Sequence, residues 1–145
     1  MILVDDRLLF AVLAESEEPT VAPFIDAADR GEIFTTGTWY WRFARAVAGP
    51  GRGSLSRTLD ALSEAERIRV RLSLEVLPLS IGLLSLRRLV PVMAALPGQL
   101  NLLTAEAVAA AIVLDAPIAV TTDSDLLDRT AAQVGVDVQT VGLGT

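Results

Sequence analysis

Asp5 and Asp6 directly follow the apolar triplet at 2–4, and Asp123 and Asp125 follow the run PIAVTT, which ends in Thr121 and Thr122. Glu106 stands between these groups in the sequence, in the first turns of the alanine-rich stretch NLLTAEAVAAAIVLDA. Three or four carboxylates gathered at one place repel one another unless a divalent cation holds them. Hard oxygen ligands select Mg2+ or Mn2+, which keep several waters and bind a few carboxylates together with substrate phosphate oxygens. Such an ion lowers the pKa of a bound water and stabilises charge on phosphorus, the chemistry of phosphodiester hydrolysis. The competing role is structural, since an Asp or Ser at a strand end caps the next helix, and either Asp123 or Ser124 could cap DLLDRTAAQVG. The chain has no cysteine and no histidine. Disulfides, thiolate nucleophiles and imidazole bases are thereby removed, and any chemistry falls to carboxylates, hydroxyls, amides and arginine.

The elements that would position these acids alternate between strand and helix. ILV at 2–4 reads as a buried strand followed by the helix RLLFAVLA, and EEPTVAPFIDAADRGEIF as a helix closed by Gly31. IFTTGTWYWRFARAVAG begins extended and turns helical up to Gly49. PGRGS is a loop, and a polar helix begins near Ser54 and runs through LDALSEAERI. LSLEVLPL at 72–79 is the next strand candidate. Two helices follow, SLRRLVPVMAALP and NLLTAEAVAAAIVLDA, then the strand PIAVTT, the helix SDLLDRTAAQVG and the strand VDVQTV. Strands separated by helices imply a parallel sheet with helices on both faces. The expected fold is therefore a single-domain three-layer α/β/α arrangement over 1–145. Such sheets place their sites at the carboxyl ends of the strands, which puts Asp5 and Asp6 on the same edge as Asp123 and Asp125.

Composition bounds the partners. With 145 residues, 52% of them hydrophobic, and a mean hydropathy of +0.49, the chain can bury a substantial core. The apolar run VLPLSIGLLSL at 76–86 is too short to span a membrane, and MILVDDRLLF lacks the basic start of a secretory signal, so a cytoplasmic location is expected. The net charge is -6 although all twelve basic residues are arginine. An acidic protein binds nucleic acid only through local patches. The run from Arg67 to Arg71, with Arg52, Arg57, Arg87 and Arg88, reads either as such a patch or as the solvated faces of helices.

ILVDDRLLFAVLA, AEAVAAAIVLDAP and AVTTDSDLLDRTAAQVGVDVQTV together resemble the PIN domain, the fold of VapC-type ribonuclease toxins of toxin–antitoxin systems, over nearly the whole chain. The family motif of a threonine, any residue, an aspartate and often a second aspartate two residues on corresponds to Thr121, Asp123 and Asp125. The aspartate after the first strand corresponds to Asp5, and Asp6 falls where the family usually has a small hydroxyl residue. The resemblance implies a Mg2+- or Mn2+-dependent ribonuclease, with Asp5, Glu106, Asp123 and Asp125 as metal-holding catalytic acids and Thr121 at the substrate. It also implies an RNA substrate, a small antitoxin protein as partner, and a homodimer.

The chain departs from the family in two places. A glutamate is expected at the start of the helix after the second strand, and TTGTWYWRFARAV carries no acid, with Arg42 nearest that place. The aspartate expected at the head of the alanine-rich helix falls near Ala105, leaving Glu106 as the only acid able to substitute, one residue or about 100° away. Arg42 has three readings. It could pair with Asp5 or Asp123 in a degenerate domain, bind a substrate phosphate, or lie on the helix surface over the WYWRF aromatics. Those aromatics read as core or interface ahead of an RNA-stacking platform. A ribonuclease is thus the first expectation, and a catalytically degenerate PIN-like binding or dimerisation module the alternative. A phosphate-binding sheet protein of another kind lacks its glycine-rich loop after the first strand.

Overall fold

The strands are three residues long, and the central ones are largely apolar and buried, as strands covered by helices on each side must be. The computed structural model describes residues 1–48, 62–75 and 80–143. In chain order the elements are β1 (Ile2–Val4), α1 (Asp6–Leu13), α2 (Ala22–Asp29), β2 (Ile33–Thr35), α3 (Gly37–Ala48), α4 (Glu64–Glu75) and β3 (Ile81–Leu83). They continue with α5 (Leu86–Ala94), α6 (Leu102–Leu114), β4 (Ile118–Val120), α7 (Asp125–Gln133) and β5 (Val138–Thr140). The five strands form one parallel sheet in the order β3-β2-β1-β4-β5.

Side chains alternate across this sheet and divide the core in two. Val4, Ile33, Ile81 and Ala119 join Leu8, Phe10, Val21 and Phe43 on the face covered by α1, α2, α3 and α4. Leu3, Ile118 and Val120 join Leu89, Val108, Leu127 and Ala131 on the face covered by α5, α6 and α7. The three-layer α/β/α architecture expected from the alternating pattern is what the chain adopts. Helix α6 is buried almost all round from Thr104 to Ala111, and its alanines let neighbouring helices approach closely.

Two element boundaries differ from those read in the sequence. The stretch 72–79 does not supply the third strand over its described part: Leu72 to Glu75 complete α4, and the strand lies further on at Ile81–Leu83. Gly82 fits there because its partner in the register is Phe34, whose ring occupies the space a Cβ on Gly82 would need. Helix α4 starts at Glu64, where Ser63 and Glu66 form a reciprocal capping box: Glu66 N–H donates to Ser63 Oγ at 3.2 Å, and Glu66 Oε1 accepts from the Ser63 N–H at 3.4 Å and from the Ser63 hydroxyl at 2.8 Å. The PGRGS loop, the expected helix start near Ser54, Arg52, Arg57 and residues 76–79 lie outside the described residues.

Candidate functional site at the switch point of the sheet

The chain builds outward from β1 through β2 to β3, then returns to add β4 on the opposite side of β1. The carboxyl ends of β1 and β4 therefore flank the place where the strand order reverses, the usual crevice of an open parallel sheet. Asp5 and Asp6 leave β1 there, and Thr121 to Ser124 leave β4. A cleft of about 290 Å3 opens at this point, lined by Asp5, Asp6, Arg7, Trp39, Arg42, Leu103, Val120, Thr122, Asp123, Ser124 and Leu127.

Asp5 is almost completely buried and acts as the N-cap of α1, with its Oδ1 accepting from Leu8 N–H at 2.9 Å. Its Oδ2 accepts from both the N–H and the hydroxyl of Thr121, at 2.7 and 2.8 Å. These bonds tie the end of β1 to the end of β4. Burial pushes the Asp5 pKa above the usual carboxylate range, an effect that the Leu8 and Thr121 hydrogen bonds oppose and the adjacent Asp6 charge reinforces.

Asp6 is 4% exposed. Its Oδ1 accepts from Arg7 N–H at 3.0 Å, while its Oδ2 makes no hydrogen bond and lies 3.4 Å from Arg42 Nε. Arg42 reaches it from the second turn of α3. Of the three readings of Arg42, pairing with an acid is the one found, but the acid is Asp6 and neither Asp5 nor Asp123. The Nε of Arg7, on the cleft wall, is also buried without a hydrogen-bond partner.

The other expected site residues are dispersed around the edge. Glu106 is buried, 3% exposed, but it does not line the cleft. Its Oε1 accepts from Thr38 N–H at 3.0 Å and its Oε2 from the Thr38 hydroxyl at 2.8 Å, and Gly37 lies close enough that a Cβ there would sit 3.3 Å from Oε1. Glu106 thus satisfies the amino-terminal end of α3, which Thr36 also caps through Trp39 N–H. Asp123 lines the cleft, is exposed, and accepts from the Thr140 hydroxyl at 2.7 Å. Asp125 is exposed in the first turn of α7, outside the cleft lining, and Ser124 is the residue that caps that helix through Leu127 N–H.

As arranged, this donor set does not fit a shared divalent cation. Asp5 spends both oxygens on backbone and threonine donors, Glu106 spends both on Thr38, and Asp6 faces a guanidinium. Among the described residues no three carboxylates stand where one metal ion could hold them together. The residues that sequence reasoning missed are Arg7 and the buried role of Asp6. Only the doubled aspartate at the strand end hinted at the second, and nothing in the pattern hinted at the first.

The aromatics of α3 sort as core and surface. Trp39 and Phe43 are buried in opposite halves of the core, and Trp41 is exposed with the Arg45 guanidinium 5.6 Å over its ring. In the arginine run, Arg67, Arg69 and Arg71 are all exposed, and Arg69 meets Glu15 at 3.2 Å and the Ala14 carbonyl at 3.1 Å. Compared with known proteins, the chain matches no family model and no curated protein.

Proposed function

We propose that this chain is a PIN-like domain whose cleft at the switch point works as a recognition site and does not hydrolyse phosphodiesters. The observation that carries the proposal is the Arg42 guanidinium set against the buried Asp6 inside the cleft, where a nuclease of this fold would gather acids around a cation. Asp5, Asp123 and Glu106 already have protein donors. The cleft combines Asp5, Asp6 and Asp123 with Arg7, Arg42 and an apolar wall of Trp39, Leu103 and Leu127, a mixed surface suited to a polypeptide segment. The partners implied by the resemblance, a small antitoxin-like protein and a second copy of the chain, belong to this proposal, as does a cytoplasmic location. Among the described residues no helix is long and apolar enough to cross a membrane.

The second reading, a Mg2+- or Mn2+-dependent ribonuclease, is favoured by one observation: Asp5 and Asp123 come from separate strand ends to the same cleft. The experiment that separates the two incubates excess protein with a mixed-sequence single-stranded RNA in Mn2+ or Mg2+, beside an Asp5→Asn, Asp123→Asn double variant. Recognition without hydrolysis predicts no cleavage above that of the double variant. Metal-dependent cleavage lost in the variant would establish the ribonuclease instead.

A further inference from the structure

Strand β5 ends the sheet on one side, and among the described residues no strand pairs with its outer edge. The Asp137 carbonyl accepts from Ile118 N–H at 2.9 Å, and Val141 N–H donates to the Val120 carbonyl at 2.7 Å. In a parallel ladder this spacing turns the backbone groups of residues 137, 139 and 141 toward β4, so the N–H and C=O of Val138 and Thr140 point to the open edge. A row of unpaired edge groups is a template for another strand, and sequences usually blunt it with lysine, proline or a bulge. The segment VQT has none of these.

A groove of about 400 Å3 lies beside this edge. Asp128 and Ala132, one turn apart on α7, line one side, and Asp137, Val138 and Thr140 line the other. Both aspartates are exposed, and among the described residues no basic side chain lines the groove. Arg129, the neighbour of Asp128, lines a different hollow with Pro97 and Gln133. Thr140 also donates its hydroxyl to Asp123 at 2.7 Å, so the groove adjoins the switch-point cleft. We propose that β5 and α7 form a docking groove for an extended, basic segment of a partner polypeptide, which joins the sheet as an added strand. The open N–H and C=O groups of Val138 and Thr140 supply main-chain hydrogen bonds, and Asp128 with Asp137 selects lysine or arginine in the segment. A second copy of the chain fits less well, since its own edge segment VDVQTV carries an acid and no base. The inference goes beyond the cleft reading and does not depend on it, so the RNA cleavage experiment leaves it untouched.

Fluorescence anisotropy with a labelled hexapeptide of alternating arginine and valine tests the groove on the intact chain. Val138→Pro removes an outward N–H without touching the bonds to β4. The pair Asp128→Asn, Asp137→Asn removes the groove's charge, and Asp26→Asn, Asp29→Asn makes the same charge change at exposed positions of α2. Binding should weaken at least about tenfold in the first two variants and stay unchanged in the third. Two further probes carry N-methyl groups on one or the other alternate set of peptide amides. A strand added at an edge turns one set to the protein and the other to solvent, so one probe should lose binding and the other keep it. These probes decide the matter on the unaltered chain if Val138→Pro fails to fold. No binding by the intact chain up to about 1 mM peptide, an equal loss in the α2 variant, or indifference to both methylation patterns overturns the inference. Sedimentation of the intact chain supplies the last outcome: self-association that Val138→Pro abolishes would give the edge to a second copy and overturn it as well.

Discussion

Asp5 shows how one side chain can be structural and electrostatic at once. It caps α1, joins β1 to β4 through Thr121, and does so from a buried position that disfavours its charge. Its folded pKa is raised, so in the pH window between the unfolded and folded values the native state holds a proton that the unfolded chain has released. The stability this group contributes is therefore fully present below the unfolded pKa and is lost as pH rises through the folded one. The stability difference between the parent and Asp5→Asn should accordingly fall as pH rises from about 4, as read by urea denaturation across a pH series. A difference that grows with pH would contradict the burial argument. At this scale the sequence was informative about type and silent about partner. The doublet Asp5–Asp6 at a strand end marks acids at the sheet edge, but which of them meets Arg42 depends on the approach of α3, and no local pattern encodes that.

At the scale of elements, the placement of α3 rests on a side chain from another helix. Glu106 is buried and supplies acceptors to the start of α3, so Glu106→Ala should cost about 1–2 kcal/mol by leaving the half-buried Thr38 N–H and hydroxyl without their acceptor. Thr38→Val should cost less, about 1 kcal/mol, and the double variant should cost less than the sum of the two, because the residues share one interaction. Additive losses in denaturation experiments would show that the contact does not couple the helices. The third strand offers a second test. Gly82→Ala forces a methyl group into the Phe34 ring and should destabilise by about 1–3 kcal/mol, with Phe34→Leu in that background recovering part of the loss. Helices were legible because their periodicity and caps are local, as with Ser124 before α7. The third strand was misplaced because three residues, one of them glycine, carry too little alternation to compete with the longer apolar stretch before it. That stretch instead completes α4 in its first half.

At the scale of the molecule, the strand order β3-β2-β1-β4-β5 creates the functional geography. It puts the reversal between β1 and β4, which is why residues more than a hundred positions apart meet in one cleft. The alternation of strands and helices made the layer architecture legible, whereas the order depends on long-range pairing that no single segment records. The same holds for the site: Asp5, Thr121 and Asp123 were legible as residues of one edge, but the occupation of Asp6 by Arg42 and of Glu106 by Thr38 appears only once α3 is placed. A net charge of -6 adds a further expectation for the whole chain. Any affinity for single-stranded RNA should be weak at physiological salt and should fall little when exposed Arg87 and Arg88 are both changed to Ser, as measured by fluorescence anisotropy. A large loss in that variant would instead assign the arginines to a nucleic-acid surface. The most direct test of the central claim is anomalous diffraction from crystals of the parent protein grown in MnCl2. The cleft should show no manganese peak, with Arg42 in contact with Asp6; a peak between Asp5 and Asp123, with Arg42 turned away, would contradict the claim and restore the metal-dependent nuclease.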